Sequence, residues 1–114
     1  MSITIKRIYE PCDKADGYRI LVDRLWPRGI KKENAKIDTW LKEIGPSTDL
    51  RKWFDHQPDR WLPFVKKYHA ELEKTDALET LRDLIRKHKK ITLLYGSKEE
   101  LYNQATALKE FLER

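Results

Sequence analysis

Residues Ile20-Leu21-Val22 constrain this chain more than any other stretch. They stand inside the run Tyr18-Arg19-Ile20-Leu21-Val22-Asp23-Arg24-Leu25-Trp26-Pro27-Arg28-Gly29. Successive side chains of a strand point to opposite faces, so three aliphatic residues in a row put apolar surface on both. Such a strand belongs inside a sheet that is covered on both sides. Asp23 and Arg24 follow at once, where the strand leaves the core at its carboxyl end, and the Trp-Pro-Arg-Gly corner then turns the chain. In open α/β sheets ligands bind outside the carboxyl ends of the strands.

The flanking segments supply the partners of this strand. Ile3 to Tyr9 reads as a strand with Ile3, Ile5 and Arg7 on one face, and Ile91 to Tyr95 reads as a third. The loop Glu10 to Gly17, with Pro11, Asp13, Asp16 and Gly17, has turn composition. It is shorter than the ~10–12 residues of an ordinary crossover, which leaves the relative direction of the first two strands open. Helices are expected over Thr39 to Ile44 behind Asp38, after a cap at Ser47 or Thr48, and from near Asp59 with Pro63 in the first turn. A fourth starts at Asp76 with Glu79 as its capping-box partner, and a last one behind Ser97 with Glu100 in the same role. The expected fold class is α/β, a small, largely parallel sheet of about three strands flanked by about five helices, forming one domain over residues 1–114.

A chain of 114 residues buries roughly 65% of its unfolded surface, enough for a core without covalent staples. The lone Cys12 excludes an internal disulfide and fits a reducing compartment. No secretory pattern opens the chain, and no apolar run approaches the length of a membrane span, so the expectation is a soluble, cytoplasmic protein. The net charge of +5, from 24 basic and 19 acidic residues, is modest. The run Arg86 to Lys90 sits where a helix dipole favours cations, without any ligand.

Three groups of residues can carry chemistry. In the first, Arg24 and Arg28 clamp a phosphate or carboxylate while Asp23 orients them or acts as a base. The competing reading makes the same residues a packed corner, with Asp23 paired to an arginine. Arg7 and Arg19 stand either with this group or in solvent. In the second, Arg51 is an anion ligand and His56, beside Asp55, a general acid/base or a tie between helices. Ser47 there reads as a helix cap rather than a nucleophile. In the third, Ser97 and Lys98 follow a strand and Gly96, the setting in which free backbone N–H groups meet an anion. His69 and His88 read as solvated helix residues. The histidines and Cys12 lack metal-ligand spacing and no glycine-rich loop follows a strand, so neither metal nor cofactor is expected.

The run Gly17 to Gly29 resembles the signature of the YeaO-like proteins, domain of unknown function family 488. The resemblance continues through Pro46 to Phe54, His56, Pro58, Arg60 and Trp61, then Phe64, Tyr68, Glu71-Leu72, Thr92 to Tyr95, Asn103, Ala105 and Leu108, nearly the whole chain. It implies a compact α/β protein with a largely parallel sheet and no established activity. Longer relatives carry a Cys-His-Arg motif near the start of the last helix, where this chain reads Leu101-Tyr102-Asn103. The expected function is therefore an anion pocket at the carboxyl ends of the strands, for phosphate or carboxylate, with catalysis left open. A nucleic-acid-binding or -processing module, suggested by Lys31 and Lys32 beside Arg28, and a structural or partner-binding protein are the alternatives.

Overall fold

A computed structural model describes residues 2–114. It holds strands β1 (Ser2–Arg7), β2 (Tyr18–Leu21), β3 (Thr39–Trp40) and β4 (Lys90–Tyr95), and helices α1 (Lys32–Ala35), α2 (Thr48–Phe54), α3 (Trp61–Leu72), α4 (Ala77–Lys87) and α5 (Gln104–Glu113). The sheet is four-stranded in the order β1-β4-β2-β3. Every pairing is parallel, with Ile3 opposite Ile91, Ile20 opposite Leu93 and Leu21 opposite Trp40. The fold class matches the sequence expectation. The strand count differs because Thr39 and Trp40, expected to open a helix, pair with Ile20 and Leu21 instead. Backbone pairing to a buried neighbour outweighs the helix signals there, and only the 3-10 turn Lys42–Ile44 remains of the expected helix.

The alternation of β2 explains the layering. Tyr18, Ile20 and Val22 face the main core, where Ile91, Leu93 and Tyr95 of β4 meet Phe64, Tyr68 and Leu72 of α3, Leu81 and Ile85 of α4, and Leu108 and Phe111 of α5. On the opposite face Leu21 packs with Ile8 and Leu94 under Trp26, Ile30, Ile37 and Trp40. Ile20, Leu21 and Val22 are all fully buried. The short connection from β1 to β2 runs back across this second face: Ile8 N–H donates to the Tyr95 carbonyl at 2.8 Å, and the Thr92 hydroxyl donates to the Asp16 carbonyl at 2.7 Å. Gly17, at φ 68°, ends that crossing, and a Cβ there would stand 2.5 Å from the Lys90 carbonyl oxygen. Only glycine accepts both the backbone angle and the approach.

Several helix boundaries follow their sequence signals. Ser47 caps α2, its Oγ accepting from Leu50 N–H at 3.1 Å while donating to Glu71 at 2.6 Å. Asp76 precedes α4 without a side-chain cap bond, so the expected capping box with Glu79 does not form, and Thr75 Oγ1 accepts from Ala77 N–H instead. His69 and His88 are half-buried rather than solvated. The first bonds the Ala107 carbonyl at 2.9 Å and the second stacks on Tyr18 with centroids 3.9 Å apart.

Arg19 is buried, 4% exposed, and so belongs neither to a ligand site nor to solvent. Its guanidinium pairs with Asp16 and donates to the carbonyls of Lys36 and Ala35 at 2.9 and 3.2 Å. Lys6 reaches the same carboxylate at 3.1 Å. Burial on its own would raise the Asp16 carboxyl, but the Asp13 N–H, Lys6 and Arg19 together hold it below its ordinary value. Removing one member of such a group strands a buried charge. Asp16→Ala is expected to lower unfolding free energy by about 3 kcal/mol in urea titration at neutral pH. The wild-type advantage should fade as pH falls through the depressed native pKa, because the carboxylate that makes these bonds is then protonated.

Candidate functional site

The carboxyl ends of β2 and β4 open into a cavity of about 380 Å³, bounded by Asp23 and Arg24 after β2, Arg51 and Phe54 of α2, and Asn103 and Gln104 at the start of α5. Asp23 is its fixed point. One carboxylate oxygen accepts from Gly96 N–H at 2.7 Å and the other from the Gln104 side-chain amide, while its own carbonyl accepts from Trp40 Nε1 at 2.8 Å. Four elements thus meet at one residue: β2, β3, the turn after β4, and α5. Gly96 leaves the space for this contact, since a Cβ there would stand 3.1 Å from the carboxylate. Burial raises the Asp23 pKa to about 6; the Gly96 N–H, the Gln104 amide and the charge of Arg51 each pull it partly back.

The two guanidiniums in the cavity wall differ. Arg24 donates to the carbonyls of Pro46 and Gly45 at 3.0 and 2.8 Å, bracing the chain ahead of α2. Neither Arg24 nor Arg51 forms a salt bridge among the described residues, and Arg51 makes no side-chain hydrogen bond either. Lys52 and Asp55 also border the cavity, so its three side-chain cations face two carboxylates, Asp23 and Asp55. His56 reaches the rim because Asp55 and His56 both take left-handed backbone, at φ 47° and 53°. Asp and His are among the non-glycine residues that tolerate that region, and two in succession reverse the chain sharply beyond α2.

The remaining residues singled out in the sequence scatter. Ser97 lines the cavity, but its Oγ accepts from Glu99 N–H at 3.1 Å and its carbonyl from Arg7 Nε at 2.8 Å. It does not cap α5. Asn103, 2% exposed, does so by accepting from Thr106 N–H at 3.0 Å. The segment between is held by the Glu99 carboxylate, which accepts from Leu101 and Tyr102 N–H and is lowered by those bonds. Lys98 is exposed and borders a second, adjoining cavity. Arg28 is exposed, lies outside both cavities, and uses its carbonyl to accept from the Tyr9 hydroxyl at 2.8 Å. Asn103, Gln104 and Tyr102 border the site without having been singled out for it. Asn103 was visible as a helix-capping residue type, but Ser97 with Glu100 three positions on was the stronger capping signal.

The sequence profile described as the inactive DUF488-N3 subclade matches residues 2–114. The chain belongs to this family. The uncharacterized protein YeaO of Escherichia coli K12 is 46% identical over 112 residues, covering 98% of this chain and 97% of the relative. The uncharacterized protein Rv3073c of Mycobacterium tuberculosis H37Rv is 44% identical over 82 residues, 72% of this chain and 70% of the relative. No solved structure matches the chain significantly. Among the described residues no helix is long and apolar enough to cross a membrane.

Within this member of the DUF488-N3 subclade the Asp23 carboxyl couples pH to stability. Its pKa is about 6 when folded against an ordinary 3.8. Between those values the native state holds a proton that the unfolded chain has released, so stability falls as pH rises through this window. A displacement of that size corresponds to about 3 kcal/mol. Asp23→Asn keeps the shape and never ionises. Its denaturation midpoints, measured from pH 4 to 8, should lack the decline expected of the wild type across pH 4–6.5; identical profiles would remove Asp23 as a source of pH dependence.

Proposed function

We propose that this protein binds a small anion, a phosphate or carboxylate, in the cavity at the carboxyl ends of β2 and β4. The observation that carries this reading is a pair of guanidiniums in one cavity wall that form no salt bridge among the described residues, the half-buried Arg24 anchored to carbonyls and the exposed Arg51 making no side-chain hydrogen bond. A guanidinium is built for two-pronged recognition of an anionic oxygen pair. Arg51 is the principal ligand. Arg24 holds the Gly45–Pro46 turn and adds charge. His56, Ser97 and, from the adjoining rim, Lys98 are further polar contacts available to the anion.

The cavity binds its anion without turnover. Both Asp23 oxygens already accept hydrogen bonds, from Gly96 and Gln104, which suits a positioning role better than proton abstraction. The family's description as inactive supports the same preference. His56 is then a contact at the rim rather than a general acid.

Calorimetric titration of the full chain with inorganic phosphate and with acetate at low ionic strength tests the reading. Saturable binding is expected, weakened at least about tenfold in Arg51→Gln, the loss of one charge-assisted pair. No binding of either ion by the wild type would overturn it. So would oligonucleotide binding that falls steeply with salt and is indifferent to Arg51→Gln.

A further inference from the structure

The shape and walls of the site carry more information than its charge. The cavity beside Arg51 and the second one beyond it, of about 530 Å³, share Phe54, His56, Ser97 and Tyr102 in their walls. They form one trough. Arg51, Asn103 and Gln104 line one end of it and Pro58, Lys98 and Glu99 the other, while Tyr102 lines both. A bare phosphate or acetate at Arg51 would leave most of this volume to water, whereas troughs of this size suit molecules of drug or cofactor dimensions.

The wall between the two ends is the margin of an aromatic stack. Phe64 lies against Phe54 and Trp61 with centroids 4.5 and 5.6 Å away, and Trp61 meets Tyr102 at 5.3 Å. Phe54, Phe64 and Tyr68 are buried, while Tyr102, at the end of the series, is 37% exposed. Its position is set by backbone rather than chance, because Glu99 accepts from the Leu101 and Tyr102 N–H groups and Asn103 anchors the next residue. An aromatic series that ends in an exposed ring, in the wall of the same cavity as a guanidinium without a salt bridge, offers a surface on which one more ring can stack.

Resting on the anion reading above, we infer that the ligand is an anion joined to a planar ring: its phosphate or carboxylate meets Arg51, and its ring lies along Tyr102 and Phe54. Nucleoside monophosphates and aromatic acids share this chemistry. The trough requires both parts. Neither the charge alone nor the ring alone fills it.

The test compares inorganic phosphate, phenyl phosphate, benzoate and adenosine monophosphate by calorimetry on the wild type, Arg51→Gln, Tyr102→Ala and Tyr102→Phe. Phenyl phosphate is expected to bind the wild type at least about tenfold tighter than inorganic phosphate, a factor equal to about 1.4 kcal/mol. Tyr102→Ala should erase that ratio and Tyr102→Phe preserve it, which separates a role of the ring from loss of fold. Tightest binding by adenosine monophosphate assigns a nucleotide, and by benzoate an aromatic acid. Equal affinities for phosphate and every aromatic anion, still dependent on Arg51, would overturn this inference while sustaining the anion reading. Aromatic binding that ignores Arg51→Gln would overturn the anion reading, and absence of all binding would overturn both.

Discussion

A strand that is apolar on both faces must be covered on both, and β2 sets that requirement for the whole chain. Helices α3, α4 and α5 cover one face with long apolar side chains. The other is covered by loops and edge-paired tryptophans, with Trp26 and Trp40 at 5.2 Å. Loops carry polar backbone, so this second layer needs partners for it. Arg19 and Thr92 supply them from within the sheet, donating to the carbonyls of Ala35, Lys36 and Asp16. The buried arginine of the signature run is therefore a consequence of thin coverage, and its charge is consumed by Asp16 rather than offered to a ligand.

The same strand ends in a carboxylate whose burial raises its pKa to about 6. A group held at such cost requires compensation, and Asp23 receives it by joining the turn after β4 to the start of α5. That junction forms the floor of the trough and presents Asn103, Gln104 and Tyr102 beside Arg51. Fold and site are thus connected through one residue. Perturbed carboxyls cluster at functional sites but also at structural junctions, and here the hydrogen bonds identify a junction, with the guanidiniums of Arg24 and Arg51 in the wall of the neighbouring cavity.

Much of the architecture could be read from local signals. The apolar runs of β1, β2 and β4, the cap at Ser47, and the stripe of Phe64, Tyr68 and Leu72 all have the period or residue type that their elements require. The strand Thr39–Trp40 could not be read this way, because two residues have no period and their pairing depends on a neighbour 19 positions earlier. The start of α5 was misplaced for a related reason: the stronger local capping signal, at Ser97, lost to Asn103, whose burial depends on tertiary packing. For the site, the sequence grouped Asp23, Arg24, Arg28, Arg51 and Lys98 at one edge, whereas Asp23, Arg24 and Arg51 border one cavity, Lys98 the adjoining one, and Arg28 neither. It did not separate Arg24 and Arg51 from Arg19 and Arg28, since an arginine's partner, whether carbonyl, carboxylate or none, is a property of the fold.

A binding face at the carboxyl ends of β2 and β4 is tested most directly by a backbone amide NMR titration of the isotopically labelled chain with phenyl phosphate. Saturable shift changes are expected, confined to residues 51–56 and 96–104, with Gly96 and Gln104 among them. Changes centred instead on the lysine-rich link around Lys31 and Lys32, or none along the trough at millimolar ligand, would contradict it.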